Sequence, residues 1–122
     1  MNHEKWSIIA STTKITAKLN KEGVRMYSSI RRYTTNPNDA AAIIELIKQG
    51  NIEERIGVLP GFIAYYIINC GKGTLLTINV FEDQADAEQS NKIAAEWVKE
   101  YVLPKYSLSS PEITVGEVVL SA

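Results

Sequence analysis

Residues 62–82 read FIAYYIINCGKGTLLTINVFE, and this stretch decides the fold. Gly71-Lys72-Gly73 interrupts two runs of β-branched and aromatic residues, the pattern of a tight hairpin. The spacing predicts strands over Phe62–Asn69 and Thr74–Glu82. Both are apolar on both parities. Phe62, Ala64, Tyr66 and Ile68 fall on one face, and Ile63, Tyr65 and Ile67 on the other. In the second run Leu75 and Phe81 oppose Leu76, Ile78 and Val80. A strand with one wet face alternates apolar with polar residues. Here both faces call for cover.

Outward from the hairpin, the same grammar continues on each side. Upstream, a strand is predicted over Met26–Thr35, ended by Asn36-Pro37-Asn38-Asp39. A helix follows over Pro37–Gln49, with Ala40, Ile43, Ile44 and Ile47 on one stripe and a cap expected from Asn or Asp. The stripe loses phase after Gly50, because Ile52 and Ile56 lie on the opposite side at 100° per residue. A break and a short second helical turn over Ile52–Gly57 are expected, with Asn51 and Glu54 spaced as a capping pair. Downstream, Asp83 caps a helix whose inner face is Ala87, Ser90, Ala94, Trp97 and Tyr101, ending at Pro104. A last strand is expected over Ile113–Leu120. The order βαββαβ implies an α+β, ferredoxin-like domain with an antiparallel four-stranded sheet, spanning residues 26–122.

Residues 1–25 differ in character and are read as a flexible or loosely attached N-terminal arm, with Met26 as an alternative start. The arm holds five basic and two acidic residues, net +3, which leaves −4 for the rest of a chain of net −1. A domain of that sign does not attract phosphate backbones, so no nucleic-acid partner is expected. No apolar run reaches the roughly 20 residues of a membrane helix, and no leader is legible, so the expectation is a cytoplasmic protein without a membrane partner. Cys70 is the one cysteine, read as a small buried strand residue, and His3 the one histidine. Neither a Cys/His metal site nor a Ser-His-Asp triad can be assembled from them. No metal and no cofactor are expected. Two helices cover one face of a four-stranded sheet. The other apolar face is expected to meet a two-fold related copy, giving a homodimer through the sheet face; the alternative is that the N-terminal arm covers it.

Several segments resemble the antibiotic biosynthesis monooxygenase-like family of the dimeric α+β barrel superfamily. They are Ser29-Ile30-Arg31-Arg32-Tyr33, Leu59-Pro60-Gly61-Phe62-Ile63-Ala64-Tyr65-Tyr66, Val80-Phe81-Glu82-Asp83 with Ser90, Ala94 and Trp97 beyond it, and Val115-Gly116-Glu117-Val118. The resemblance implies a dimeric α+β barrel. Haem-degrading members carry an Asn in strand one, and a Trp and an iron-ligating His on the second helix. The corresponding positions here offer Arg31, Ser90 and no His, which argues against haem chemistry. What remains implied is a cofactor-independent monooxygenase of a small aromatic or quinol-type molecule. The alternative is a non-catalytic dimeric module that binds a small ligand or regulates.

In this fold a pocket opens between helices and sheet. One strand parity brings Arg31, Tyr33, Asn79 and Glu117 to it. Arg31, Asn79 and Glu117 are the candidate catalytic residues; Tyr33, Tyr65, Tyr66 and Trp97 are candidates for substrate binding. Each has a structural reading beside the functional one. Arg31 and Glu117 would form an ion pair across strands one and four, or Arg31 would anchor an anionic substrate oxygen and Glu117 or a water would take a proton. Asn79 would complete a hydrogen-bond network or orient a substrate, and the aromatic residues would pack the core. Arg32 points the other way, as an exposed or interfacial charge.

Overall fold

The computed structural model describes residues 25–121. The arm and the start at Met26 therefore concern a segment, residues 1–24, outside the described residues. The elements follow the expected order. Strand β1 (Tyr27–Thr34) leads to helix α1 (Ala40–Gln49) and a short helix α2 (Ile52–Gly57). The hairpin strands β2 (Phe62–Gly71) and β3 (Thr74–Phe81) come next. Helix α3 (Gln84–Trp97) continues into a π-helical turn (Val98–Val102), and β4 (Glu112–Glu117) closes the chain. The sheet order is β2-β3-β1-β4 and every neighbour is antiparallel.

The hairpin turns where the glycines demand it. Gly71, Lys72 and Gly73 have φ of 82°, 54° and 82°, the left-handed region that glycine enters without steric cost. Gly73 also receives the chain that leaves β1: Thr35 N donates to Gly73 O at 2.8 Å. The helix caps differ in part from expectation. Asp83 Oδ1 accepts from Ala85 N at 2.7 Å and starts α3. Asp39 and Asn51 occupy N-cap positions with no side-chain bond. Asn36 Oδ1 instead accepts from Asn38 N at 2.9 Å and shapes the turn, and Asn51 sits at φ 64°, which aims its side chain away from the helix.

Two further departures re-aim side chains. A bulge between Phe62 and Ala64 puts one extra residue in β2. Phe62 therefore faces the helices opposite Phe81, while from Ala64 onward the parity is reversed. Tyr65 and Ile67 share the helix-facing side with Phe62, and Ala64, Tyr66 and Ile68 face away. The other departure is the π turn. Leu103 N donates to Val98 O at 3.0 Å, five residues back, so the helix gains a residue and its faces rotate. Val102 is buried in place of Tyr101, which is exposed. Cys70, at the end of edge strand β2 beside the hairpin, is exposed rather than buried.

The main core lies between sheet and helices. Ile43, Ile52, Ile56, Leu75, Phe81, Ala87, Trp97 and Val102 fill it. A second apolar cluster, Met26, Ile63, Ala64 and Val80 with Tyr66, Ile78 and Val118 against it, occupies the other face and contains no helical residue. Among the described residues, no helix is long and apolar enough to cross a membrane.

Candidate functional site

Three elements converge on Arg31. It stands in the middle of β1, faces the helices and is 1% exposed. Directly across the ladder is Thr77 of β3, with Asn79 one pleat further on. Helix α3 lies above, with Ser90 and Asn91 turned toward the sheet. Nη1 of Arg31 donates to Asn91 Oδ1 at 2.8 Å and to Ser90 Oγ at 3.4 Å, and Nη2 donates to Asn79 Oδ1. Asn91 Oδ1 also accepts from Ser29 Oγ at 2.6 Å, and Ser90 Oγ donates to Ala87 O at 2.6 Å. The network thus stitches β1 to β3 and to α3.

Every one of these acceptors is neutral. Among the described residues no carboxylate pairs with Arg31. A buried cation whose charge is unmatched is costly, and neutral acceptors offset only part of that cost. Three polar groups of the same neighbourhood are buried without a partner: Arg31 Nε, Thr77 Oγ1 and Asn79 Nδ2.

A part-open cavity adjoins this cluster. Arg31, Tyr33, Tyr65 and Thr77 line it together with Ile47, Ile52, Ile67, Leu75, Trp97 and Leu108, and the surface open to it is almost wholly apolar. About 20 Å³ is open to the centre of a water-sized sphere. That is room for one or two waters, so a larger guest must displace side chains. Trp97 is held in the wall by Nε1, which donates to Gly50 O at 2.9 Å. A Cβ at position 50 would sit 2.2 Å from Trp97 Cζ2, so only glycine admits the indole. The helix itself breaks one residue later, where Asn51 takes the left-handed conformation at φ 64°.

Burial pushes the Tyr33 and Tyr65 hydroxyls up in pKa, and the charge of Arg31 partly opposes this. Tyr65 reaches about 12; the neighbouring Tyr33 and, less, Glu53 raise it further, and a hydrogen bond from Arg31 opposes them. Both tyrosines therefore enter neutral pH protonated, as donors.

The structure brings together Arg31, Tyr33, Tyr65 and Trp97 on the cavity wall, with Asn79 bonded to Arg31 beside it. Two of the expected residues are elsewhere. Glu117 shares the parity of Arg31 but stands opposite Tyr27, at the far end of β4, where Arg25 Nη1 meets its carboxylate at 3.6 Å. Arg31 faces Ile113 on that strand, so the expected Arg31–Glu117 pair is not formed. Tyr66 is carried to the opposite face by the bulge in β2. Arg32 is exposed, and its Nη1 donates to Glu112 Oε1 at 2.9 Å. Sequence reasoning missed Ser29, Thr77 and Asn91. Asn91 had a signal: it lies four residues after Ala87, on the inner face of the helix. Among the described residues, no group of three or more His, Cys, Asp or Glu is placed to hold a metal ion.

No family model matches this sequence, and no curated protein matches it significantly. Solved structures do match its fold. A protein of unknown function from Nitrosomonas europaea superposes with a TM-score of 0.64 at 19% identity, covering 81% of this chain and 94% of that one. A candidate antibiotic biosynthesis monooxygenase from the same organism gives 0.62 at 13% identity over 81% and 95% of the two chains. A further candidate antibiotic biosynthesis monooxygenase, from Caulobacter crescentus, gives 0.59 at 12% identity over 80% and 92%. The chain has the ferredoxin-like α+β fold of the antibiotic biosynthesis monooxygenase-like proteins, as its sequence segments had suggested.

Proposed function

We propose that the cavity beneath α3 binds a small aromatic molecule of the phenol or quinol type and supports its oxygenation without a cofactor. The observation that carries this reading is the buried Arg31, matched by no carboxylate among the described residues, beside an apolar cavity. A guanidinium in that setting stabilises negative charge developing on a substrate oxygen, because it is pre-oriented and poorly solvated. Tyr33 and Tyr65 add hydroxyl donors, and Ile47, Ile52 and Trp97 pack the ring. Oxygen then attacks the electron-rich ring carbon. One oxygen atom is retained on the ring as the new hydroxyl, the two phenolic oxygens become the quinone carbonyls, and the other oxygen atom leaves as water. A hydroquinone thereby gives a hydroxyquinone, and the substrate itself is the reductant. Glu117 is too remote to accept the proton, which goes to water.

The reading includes a homodimer joined through the outer sheet face. Its support is the apolar character of that face, where Ile30, Tyr66, Leu76 and Ile78 are half-buried and Ile68 is 40% exposed. A soluble sheet face of this kind is normally covered.

The test is oxygen uptake by the purified protein over a panel of quinols, beside an Arg31→Met variant whose circular dichroism matches the wild type. Uptake should fall by at least tenfold in the variant. Equal rates, or no uptake with any quinol, would leave the second reading, a binding module without chemistry.

A further inference from the structure

Polar residues stand around the cavity, yet the surface open to it is almost wholly apolar. Arg31, Tyr33, Tyr65 and Thr77 therefore turn carbon atoms to it. The guanidinium nitrogens Nη1 and Nη2 of Arg31 are engaged by Asn79, Ser90 and Asn91, none of which lines the space. The space has the size of one or two waters, but a trapped water needs about two to four hydrogen-bond partners, and this surface offers next to none. Apolar cavities of this kind stay dry. Ala94 of α3 is the smallest side chain in the wall and is 4% exposed, so the gap is widest where that helix could have carried a larger residue.

We infer that the cavity as it stands is a seat for a small apolar gas molecule, dioxygen, held between α3 and the sheet. The atoms that line a void lack contact partners on one side, and a guest of matching size restores that dispersion attraction without breaking a hydrogen bond. The open space, about 20 Å³, is small against the ~150 Å³ of a dry cavity that takes up benzene. A diatomic molecule fits it, and a ring fits only after wall side chains move. The gas is dioxygen on the strength of the oxygenase reading above, in which it is the second substrate; its seat stands on the cavity alone. Ring and gas then meet in one place. The ring enters by the open side and pushes wall side chains apart, and the gas occupies the part already formed.

The experiment is methyl nuclear magnetic resonance of the full chain under raised pressures of xenon and of dioxygen. Xenon should shift the methyls of Ile47, Ile67 and Leu75 saturably, and dioxygen should enhance their relaxation about threefold more than that of Ile43 and Ile56, which are as deeply buried but do not line the cavity. Ala94→Val fills the space from the helix, and Ile67→Phe fills it from the edge strand and serves where the first variant does not fold. Either should reduce the xenon shifts about fivefold. With any quinol the protein oxidises, the same variant should lower kcat/KM for oxygen by about fivefold, and by more than kcat/KM for the quinol. Gas effects no larger at the cavity methyls than at Ile43 and Ile56, a long-lived water detected in the cavity, or an unchanged dependence on oxygen in a variant that has lost xenon would overturn the inference. Quinol turnover without saturable gas shifts sinks the gas seat and spares the oxygenase. Gas binding without turnover of any quinol keeps the seat and sinks the oxygenase.

Discussion

At residue scale the buried polar network centres on Arg31. Its guanidinium is held by three neutral side chains from two elements, and Asn91 Oδ1 takes two of the donors, Arg31 Nη1 and Ser29 Oγ. Asn91→Leu should therefore cost about 2–3 kcal/mol in urea unfolding, since a hydrogen bond to a charged group is lost and a hydroxyl is stranded. Ser29→Ala removes only the hydroxyl and should cost about 1 kcal/mol. A reversed order would show that Arg31 is not the group Asn91 serves. Tyr65 offers a pH signature. Its folded pKa is about 12, above the ordinary value of 10.0, so the protonated form is the one folding favours. The stabilisation is fully present below pH 10.0 and is lost as pH rises toward 12. Ultraviolet titration of phenolate should show a tyrosine ionising about two units late, and Tyr65→Phe should abolish that late step and flatten the stability loss in this window. A titration with the late step intact in the variant would assign it elsewhere.

At element scale, two glycines and one bulge determine how the pieces meet. The Gly50 Cα lies against the indole of Trp97, and Trp97 in turn walls the cavity. Gly50→Ala must push the indole or the end of α1 aside and should lower stability by about 1–3 kcal/mol, as overpacking does. The displaced Trp97 should also change the near-ultraviolet circular dichroism. Gly73 is bound more tightly, because its φ of 82° is compounded by Thr35 O, which a Cβ would approach to 2.2 Å. The obstacle there is backbone, with no rotamer to yield. Gly73→Ala should exceed Gly50→Ala in cost, a ranking that thermal unfolding of the two variants can check. The elements themselves were legible. The hairpin, the break at Gly50 and the Asp83 cap all follow from residues whose conformational preferences are strong and local. The bulge between Phe62 and Ala64 and the π turn after Trp97 were not, since each inserts one residue into an apolar run without changing its composition. Their consequence is large: Tyr66 and Tyr101 leave the interior, and Tyr65 and Val102 turn toward it.

For the whole molecule, the outer face of the sheet carries an apolar cluster without helical cover. If it meets a second copy, light scattering after gel filtration should report twice the chain mass of 13.6 kDa. Ile78→Asp should shift that species toward a single chain with the far-ultraviolet spectrum preserved, because position 78 lies on the outer face, away from the helices. A single-chain mass for the wild type would remove the dimer from the proposal. By itself the sequence determined the order of elements, the ferredoxin-like class and the surplus of apolar residues on both parities of the hairpin. These depend on local propensity and periodicity, which a chain carries wherever it goes. Only the tertiary structure decided that Arg31 meets Asn79, Ser90 and Asn91, and that Glu117 has no part in the cavity. Such pairings depend on strand register and helix phase, and a shift of one residue in either exchanges the neighbours of every side chain downstream.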